Sequence, residues 1–134
     1  MRYLGMDFGI KRIGLAISGP DSTMAFPYKT IFRTTRQAVF DEIIEIISHE
    51  QIDAVVLGIP LTSEPDNLTS RQVKNFLKSL ERRIHIPVHI VNEAFTSSEA
   101  KNILKERRLG HKKEKEVLDQ LAAVLILETF LSDL

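Results

Sequence analysis

The chain has 134 residues, of which 43% are hydrophobic and 27% charged, and these values predict one soluble globular domain over residues 1–134. It contains no cysteine, which excludes disulfides and thiol catalysis, and it lacks both a signal pattern and an apolar run near the roughly 20 residues that span a bilayer. Net charge is zero, but residues 37–66 carry no basic side chain whereas residues 67–115 carry twelve. We therefore expect a cytoplasmic protein with no membrane partner, whose local basic patches could hold a polyanion.

The first stretch, residues 2–18, predicts a β-hairpin with an acidic residue inside its first strand. Two short apolar runs flank a polar turn that contains glycine. Asp7 falls in the first run, where burying a carboxylate is costly unless it is paired or bound to a metal. Two explanations are open at this point. Asp7 caps the turn or pairs with Arg12, or it serves a functional site.

The remaining elements alternate between strand and helix patterns. The periodicity predicts a mixed five-stranded sheet, three antiparallel strands and then two parallel ones, with helices on both faces. Either Thr34 or Thr35 caps the first helix. The predicted elements are a third strand over 24–32 broken early by Pro27, a helix over 36–50, a strand over 53–59, a helix over 68–83, a strand over 88–91, a helix from about 97 to 110, a basic connector over 110–115 and a final helix over 116–131.

Three acidic residues are candidates for one site. Ligands of open α/β sheets gather at the carboxyl ends of strands, where Asp7 ends the first strand and Glu93 ends the last; in a sheet of this order the two strands can be neighbours. Asp119 lies on the final helix beside two alanines, on an otherwise buried face. The alternative for Asp119 is an acid in the first helical turn, stabilised by the helix dipole. Glu116, one turn earlier, is either a fourth ligand or a solvated acid.

The chemistry of these acids favours a hard metal ion. Three carboxylates from distant segments form an oxygen-rich set that suits Mg²⁺ or Mn²⁺. Two such ions about 4 Å apart can activate water and stabilise the leaving oxygen in phosphodiester cleavage. The four histidines show no ligand spacing, which argues against zinc.

Four segments that span nearly the whole chain occur together in one order. They are MDFGIKRIGLAIS, VVLGIPL, Glu93 followed by Phe95-Thr96-Ser97, and VLDQLAAVLILETFL. This set resembles the YqgF/RuvX family, which is described both as Holliday-junction resolvases and as the pre-16S rRNA nuclease. The resemblance implies a ribonuclease H-like fold and a Mg²⁺- or Mn²⁺-dependent endonuclease, with Asp7, Glu93 and Asp119 as its catalytic and metal-binding residues. The implied reaction is 5′-end processing of precursor 16S rRNA in ribosome biogenesis, with resolution of branched DNA as the alternative.

The sequence also departs from the family pattern. Where the family usually has Asp-Glu-Arg, this chain has Asn92-Glu93-Ala94, so an acid and a phosphate-facing arginine are missing. A non-catalytic nucleic-acid-binding module of ribosome assembly therefore stays open as a second alternative. The first hairpin also looks like the phosphate-binding hairpin of the actin/hexokinase ATPases, but those need two such domains and this chain has room for one.

Basic side chains near the acids are candidate phosphate contacts, which supply affinity and position rather than sequence choice. No aromatic stacking platform is evident in a chain with two Tyr and no Trp. We expect a monomer or a weak homodimer that binds precursor rRNA or branched DNA, with ribosomal assembly intermediates as further partners. The candidate nucleic-acid-binding residues are Lys11, Arg12, Arg71, Lys112, Lys113 and Lys115.

Overall fold

Five strands and three helices make up the part of the chain that the structure, a computed structural model, describes. The described residues are 1–20, 24–59, 68–92 and 111–134, and for 68–70 and 111–116 the description covers the backbone alone. The helix predicted over 97–110 lies outside these ranges. The elements are β1 Tyr3–Phe8, β2 Arg12–Ser18, β3 Ala25–Phe32, α1 Arg36–His49, β4 Ala54–Ile59, α2 Leu68–Arg83, β5 Val88–Asn92 and α3 His111–Ser132.

The strands form one mixed sheet in the order β3-β2-β1-β4-β5. β2 is antiparallel to both β1 and β3, whereas β4 is parallel to both β1 and β5, which confirms the predicted fold class. The expectation that the first and last strands can be neighbours is wrong, because β4 lies between them. The crossover through α1 leads from β3 past β2 and places β4 beside β1, and the crossover through α2 then adds β5 on the far side of β4.

The side chains of β1 point alternately into two hydrophobic cores, one on each face of the sheet. Successive strand residues point to opposite faces of the sheet. Leu4, Met6 and Phe8 belong to the larger core, which α1 and α2 cover, whereas Tyr3 belongs to the smaller core beneath α3. Helices therefore cover both faces, as predicted. By the same alternation Asp7 points to the face that α3 covers.

Local signals set the limits of α1. Thr35 is its N-cap, and the side-chain oxygen of Thr35 accepts a hydrogen bond from the Ala38 amide at 3.1 Å. The helix ends before Gln51, which has a φ of 54°, in the left-handed region that commonly follows a helix. The prediction of a helix over 36–50 is confirmed to within one residue.

Pro27 does not break the third strand. β3 pairs with β2 on one side and forms the edge of the sheet, where a residue without an amide hydrogen is tolerated. Leu15 pairs with Lys29 and Ala16 with Pro27, so Tyr28 is the extra residue of a β-bulge. The bulge absorbs the irregularity, and pairing continues to Phe32.

The last helix is longer than the sequence pattern predicted. α3 begins at His111, so residues 111–115 are helical and not a connector. The lysines and glutamates of this segment are good helix formers, which explains why the helix extends in front of its apolar part. Asp119 therefore lies in the third turn. No helix in the described ranges is long and apolar enough to cross a membrane.

Candidate active site

Asp7 is the next-to-last residue of β1 and lies between two glycines. In the sheet register Asp7 is opposite Gly14 on β2 and beside Gly58 on β4. Paired residues on adjacent strands point to the same face, and neither glycine carries a side chain. The sheet itself therefore leaves the space on both sides of the Asp7 carboxylate unfilled.

Helix α3 lies directly on Gly14. A Cβ atom added to Gly14 would overlap the backbone carbonyl of Asp119 and would lie 2.9 Å from the Asp119 Cβ. Only glycine permits this approach of helix to strand. Since Gly14 is the cross-strand partner of Asp7, the contact places Asp119 one strand away from Asp7, on the face of the sheet to which Asp7 points.

Arg12 binds Asp119. Its Nε donates a hydrogen bond to Oδ2 of Asp119 at 2.6 Å, and the two side chains are 27% and 18% exposed. This charged contact is largely shielded from water, so the guanidinium compensates the carboxylate and fixes its orientation. The helix-dipole explanation of Asp119 does not hold, because the dipole acts within the first turn and the helix starts eight residues earlier.

Arg33 holds the turn between β1 and β2, a role that sequence reasoning missed. The turn is closed by the Gly9 amide, which donates to the Arg12 carbonyl at 2.9 Å. Arg33 lies at 4.7 Å over the Phe8 ring and donates from Nη1 to the carbonyls of Gly9 and Ile10 at 3.1 and 2.7 Å. Arg33 thus positions the residues that precede Arg12. Its role depends on the register of the β2–β3 pairing, which the predicted antiparallel order of these strands does not specify.

Of the other candidate site residues, the structure describes the side chains of Lys11 and Arg71 only. Lys11 is exposed in the β1–β2 turn, and Arg71 is exposed near the start of α2, on the opposite layer from α3. Glu93 follows β5 in the chain and lies outside the described residues. Side-chain positions are likewise undescribed for Lys112, Lys113, Lys115 and Glu116, all within α3.

An exposed aromatic side chain lies beside Arg12, although the sequence showed no aromatic platform. Phe32 is the cross-strand partner of Arg12 and is 54% exposed, so it lies on the same face as Asp119. Close by, Gln120 on α3 donates to Thr30 on β3 at 3.0 Å. The signal in the sequence was a phenylalanine at the end of an edge strand, but its exposure depends on where α3 crosses.

The donor atoms of this site fit a hard cation. Asp7 and Asp119 both offer carboxylate oxygens, the ligands that Mg²⁺ and Mn²⁺ prefer. Within the described ranges there is no group of three or more acidic, histidine or cysteine residues that could hold a metal. The two placed acids need at least one more ligand, and Glu93 is the predicted one.

The strand order, the helices on both faces and the acid at the end of β1 define a ribonuclease H-like fold. Solved structures support this class. RuvC of Thermus thermophilus in complex with a Holliday-junction substrate superimposes with a TM-score of 0.62 at 17% identity, covering 99% of this chain and 95% of that one. The fowlpox virus Holliday-junction resolvase gives 0.59 at 14% identity, with both chains covered completely. At these identities the likeness concerns the fold.

Sequence comparison then identifies the family. The model of the RuvX family, described as Holliday junction resolvase, matches residues 1–133, so the chain belongs to the RuvX family. A protein of Maridesulfovibrio salexigens is 51% identical over 133 residues, with 98% of each chain covered. One of Nitratidesulfovibrio vulgaris is 43% identical, with 98% of this chain and 94% of the relative covered. Both are named "Putative pre-16S rRNA nuclease", and the resemblance seen in the sequence is confirmed.

Proposed function

We propose that this protein is a divalent-metal-dependent endonuclease that processes the 5′ end of precursor 16S rRNA. One structural observation carries the proposal, namely that α3 packs Asp119 against Gly14, the cross-strand partner of Asp7, on the face of the sheet to which Asp7 points. The names of relatives that match almost the whole chain point to the same substrate. A precursor-rRNA substrate also agrees with the expected cytoplasmic location and with ribosomal assembly intermediates as partners.

In the proposed mechanism the chain holds and orients the reacting groups. Asp7, Asp119 and Glu93 would hold Mg²⁺ or Mn²⁺. When bound, the metal would activate water and stabilise the leaving oxygen of the phosphodiester. Asp7 is fixed on a central strand, and Arg12 holds the Asp119 carboxylate in one orientation. Glu93 completes the site or orients the attacking water.

Substrate contacts in this proposal come from basic and aromatic side chains on several elements. The exposed Lys11 in the β1–β2 turn binds a phosphate, and Phe32 offers an exposed ring on which an unpaired base can stack. Arg12, which already contacts Asp119, lies between them. The other proposed phosphate contacts are Arg71, Lys112, Lys113 and Lys115.

Resolution of branched DNA is the second candidate function. The observation that favours it is the family description together with the fold shared with junction resolvases. A resolvase cuts two strands symmetrically, which favours a dimer. We place it second because the relatives of highest identity cited above carry the rRNA name.

Cleavage assays test the proposal and rank the two substrates. Labelled precursor-16S fragments and four-way DNA junctions are incubated with Mg²⁺, Mn²⁺ or EDTA. We expect wild-type cleavage of the RNA with either metal, and its loss in EDTA and in Asp7→Asn, Asp119→Asn and Glu93→Gln. Asp133→Asn, which changes an exposed acid near the chain end, is the matched control and should cleave normally.

Two other outcomes of these assays would contradict the proposal. Preferential cleavage of the junction would replace the first candidate by the second. Binding of RNA by wild type and all variants, without cleavage of either substrate in any metal, would overturn the enzyme proposal. The protein would then be a nucleic-acid-binding module that retains the fold.

A further inference from the structure

A cleft opens near the β1–β2 turn, on the face of the sheet opposite to the one that Asp7 and Asp119 share. Its volume is about 350 Å³, within the range of roughly 300–1,000 Å³ that is usual for small-molecule sites. It lies between the β1–β2 turn, the start of α1 and the middle of α2. The described residues that line it include none of the candidate active-site residues.

The floor of the cleft is aromatic. The rings of Phe8 and Phe76 are 4.7 Å apart, and those of Phe76 and Phe40 are stacked at 5.4 Å. These rings are buried in the larger core, so their positions are fixed by packing. Arg33, which also lines the cleft, lies over the Phe8 ring at 4.7 Å. A flat group that enters the cleft therefore stacks on this guanidinium, which the buried rings beneath it hold in place.

The rim of the cleft is polar and basic. Arg33 and Arg36 stand on one side and the amide side chains of Gln72 and Asn75 on the other. Arg33 is held by the turn carbonyls and Arg36 by the hydroxyl of Ser79. No acidic residue is among the described residues that line the cleft. A ligand with an anionic group and with edges that form hydrogen bonds suits this rim.

The cleft is coupled in space to the candidate active site. Phe8 on its floor directly follows Asp7, and their side chains point to opposite faces of the sheet. Ile10, at the tip of the turn, is also part of the cleft wall. A nucleic-acid strand whose scissile phosphate lies at Asp7 can therefore reach the cleft by passing over the β1–β2 turn.

We propose that this cleft binds one nucleotide of an unpaired RNA segment adjacent to the cleavage site. The base stacks on the Arg33 guanidinium above the phenylalanine floor and its edge bonds to Gln72 and Asn75, while a phosphate faces Arg36. Amide side chains can donate to and accept from base edges, and stacking tolerates any base. The inference rests on the proposed function and adds a requirement for an unpaired flank in the substrate.

Binding measurements test the cleft separately from catalysis. The probes are a fluorescein-labelled RNA hairpin with a short unpaired extension and the same hairpin without it, titrated with the full chain in EDTA. We expect the wild type to prefer the extended hairpin. Replacing Gln72 and Asn75 together by alanine should lower this preference about tenfold, the loss expected for one or two hydrogen bonds to the base. Arg36→Gln should lower it similarly.

Matched controls separate the cleft from general charge and from misfolding. Lys74→Gln removes a charge from the exposed side of α2 outside the cleft, and it should weaken binding of both hairpins alike. Gln72 and Asn75 lie on the helix surface, so their variants should unfold like the wild type. If the variants keep the wild-type preference for the extended hairpin, the cleft inference is wrong. Failure of the nuclease proposal would show instead as absent cleavage and leave this preference intact.

Discussion

Arg12 on β2 and Asp119 on α3 are joined by a hydrogen bond of 2.6 Å between Nε and Oδ2, although 107 positions separate them in the chain. The pair links the hairpin that carries Asp7 to the helix that carries the second acid. Both side chains are mostly shielded from water. The contact therefore does more than a surface ion pair, since it fixes the geometry of a carboxylate that the proposed mechanism uses.

A double-mutant cycle measures that contact. We expect Arg12→Ala and Asp119→Asn to be coupled by about 1 kcal/mol in the free energy of unfolding, because the pair is charged, short and only partly exposed. Urea unfolding of the four proteins in EDTA gives the coupling. The exposed pair Lys29–Glu42 serves as the control and should show at most about 0.5 kcal/mol. Equal coupling in both pairs would contradict a special role for Arg12.

Substitution of Gly14 tests the approach of α3 to the sheet. A Cβ at Gly14 would overlap the backbone of Asp119, which cannot move without displacing the helix. We expect Gly14→Ala to lower the free energy of unfolding by about 3 kcal/mol, at the upper end of the usual cost of overpacking. Gly5→Ala is the graded control, because its Cβ would lie 3.0 Å from Ala123 and Leu127 on the same helix. A smaller loss in Gly14→Ala than in Gly5→Ala would show that this contact is misplaced.

Phe32 tests the proposed stacking of an unpaired base. We expect Phe32→Ala to weaken binding of single-stranded RNA about tenfold, the loss expected for one stacked base, with little change in stability because the ring is 54% exposed. Fluorescence anisotropy in EDTA measures the affinity. Phe26→Ala changes a similarly exposed ring on the same strand, opposite Ile17 and on the other face. Equal losses in the two variants would rule out a specific role for Phe32.

The raised pKa of Tyr28 predicts how the stability of the folded protein changes at alkaline pH. Its burial raises the pKa of the Tyr28 hydroxyl above the ordinary value of 10.0, and the hydrogen bond to Glu50 and the charge of Glu50 raise it further. Because the folded pKa is the higher one, this stabilisation is complete below about pH 10 and is lost as the pH rises through the folded pKa. Lys29, whose pKa is raised by Glu42, acts in the same direction.

Absorbance titration of the wild type and of Tyr28→Phe isolates the Tyr28 effect by difference, since lysine does not contribute to the tyrosinate signal and Tyr3 is present in both proteins. We expect Tyr28 to ionise above pH 10 in the folded protein, and Glu50→Gln to bring its pKa closer to 10. Tyr28→Phe should lose less stability than the wild type between neutral and strongly alkaline pH. A Tyr28 that titrates at or below its ordinary pKa would contradict the geometry around Glu50.

Local patterns in the sequence determined most of the elements. Two short apolar runs around a glycine-bearing turn placed β1 and β2, helical periodicity placed α1 and α2, and the hydroxyl of Thr35 set where α1 begins. An acid inside the apolar run of β1 is unusual in itself, and this alone singled out Asp7. These features depend on neighbours within a few residues, where backbone preferences and side-chain spacing act directly.

Tertiary structure decided what surrounds Asp7. The sequence offered Arg12 as a partner for Asp7, whereas the fold places the Arg12 guanidinium on Asp119. It also inserted β4 between β1 and β5, assigned Arg33 to the turn and left Phe32 exposed. Each result depends on strand order and on where α3 crosses the sheet. The strand order and the position of α3 are set by the packing of the two cores. This packing depends on residues that are far apart in the chain, so no local sequence pattern predicts it.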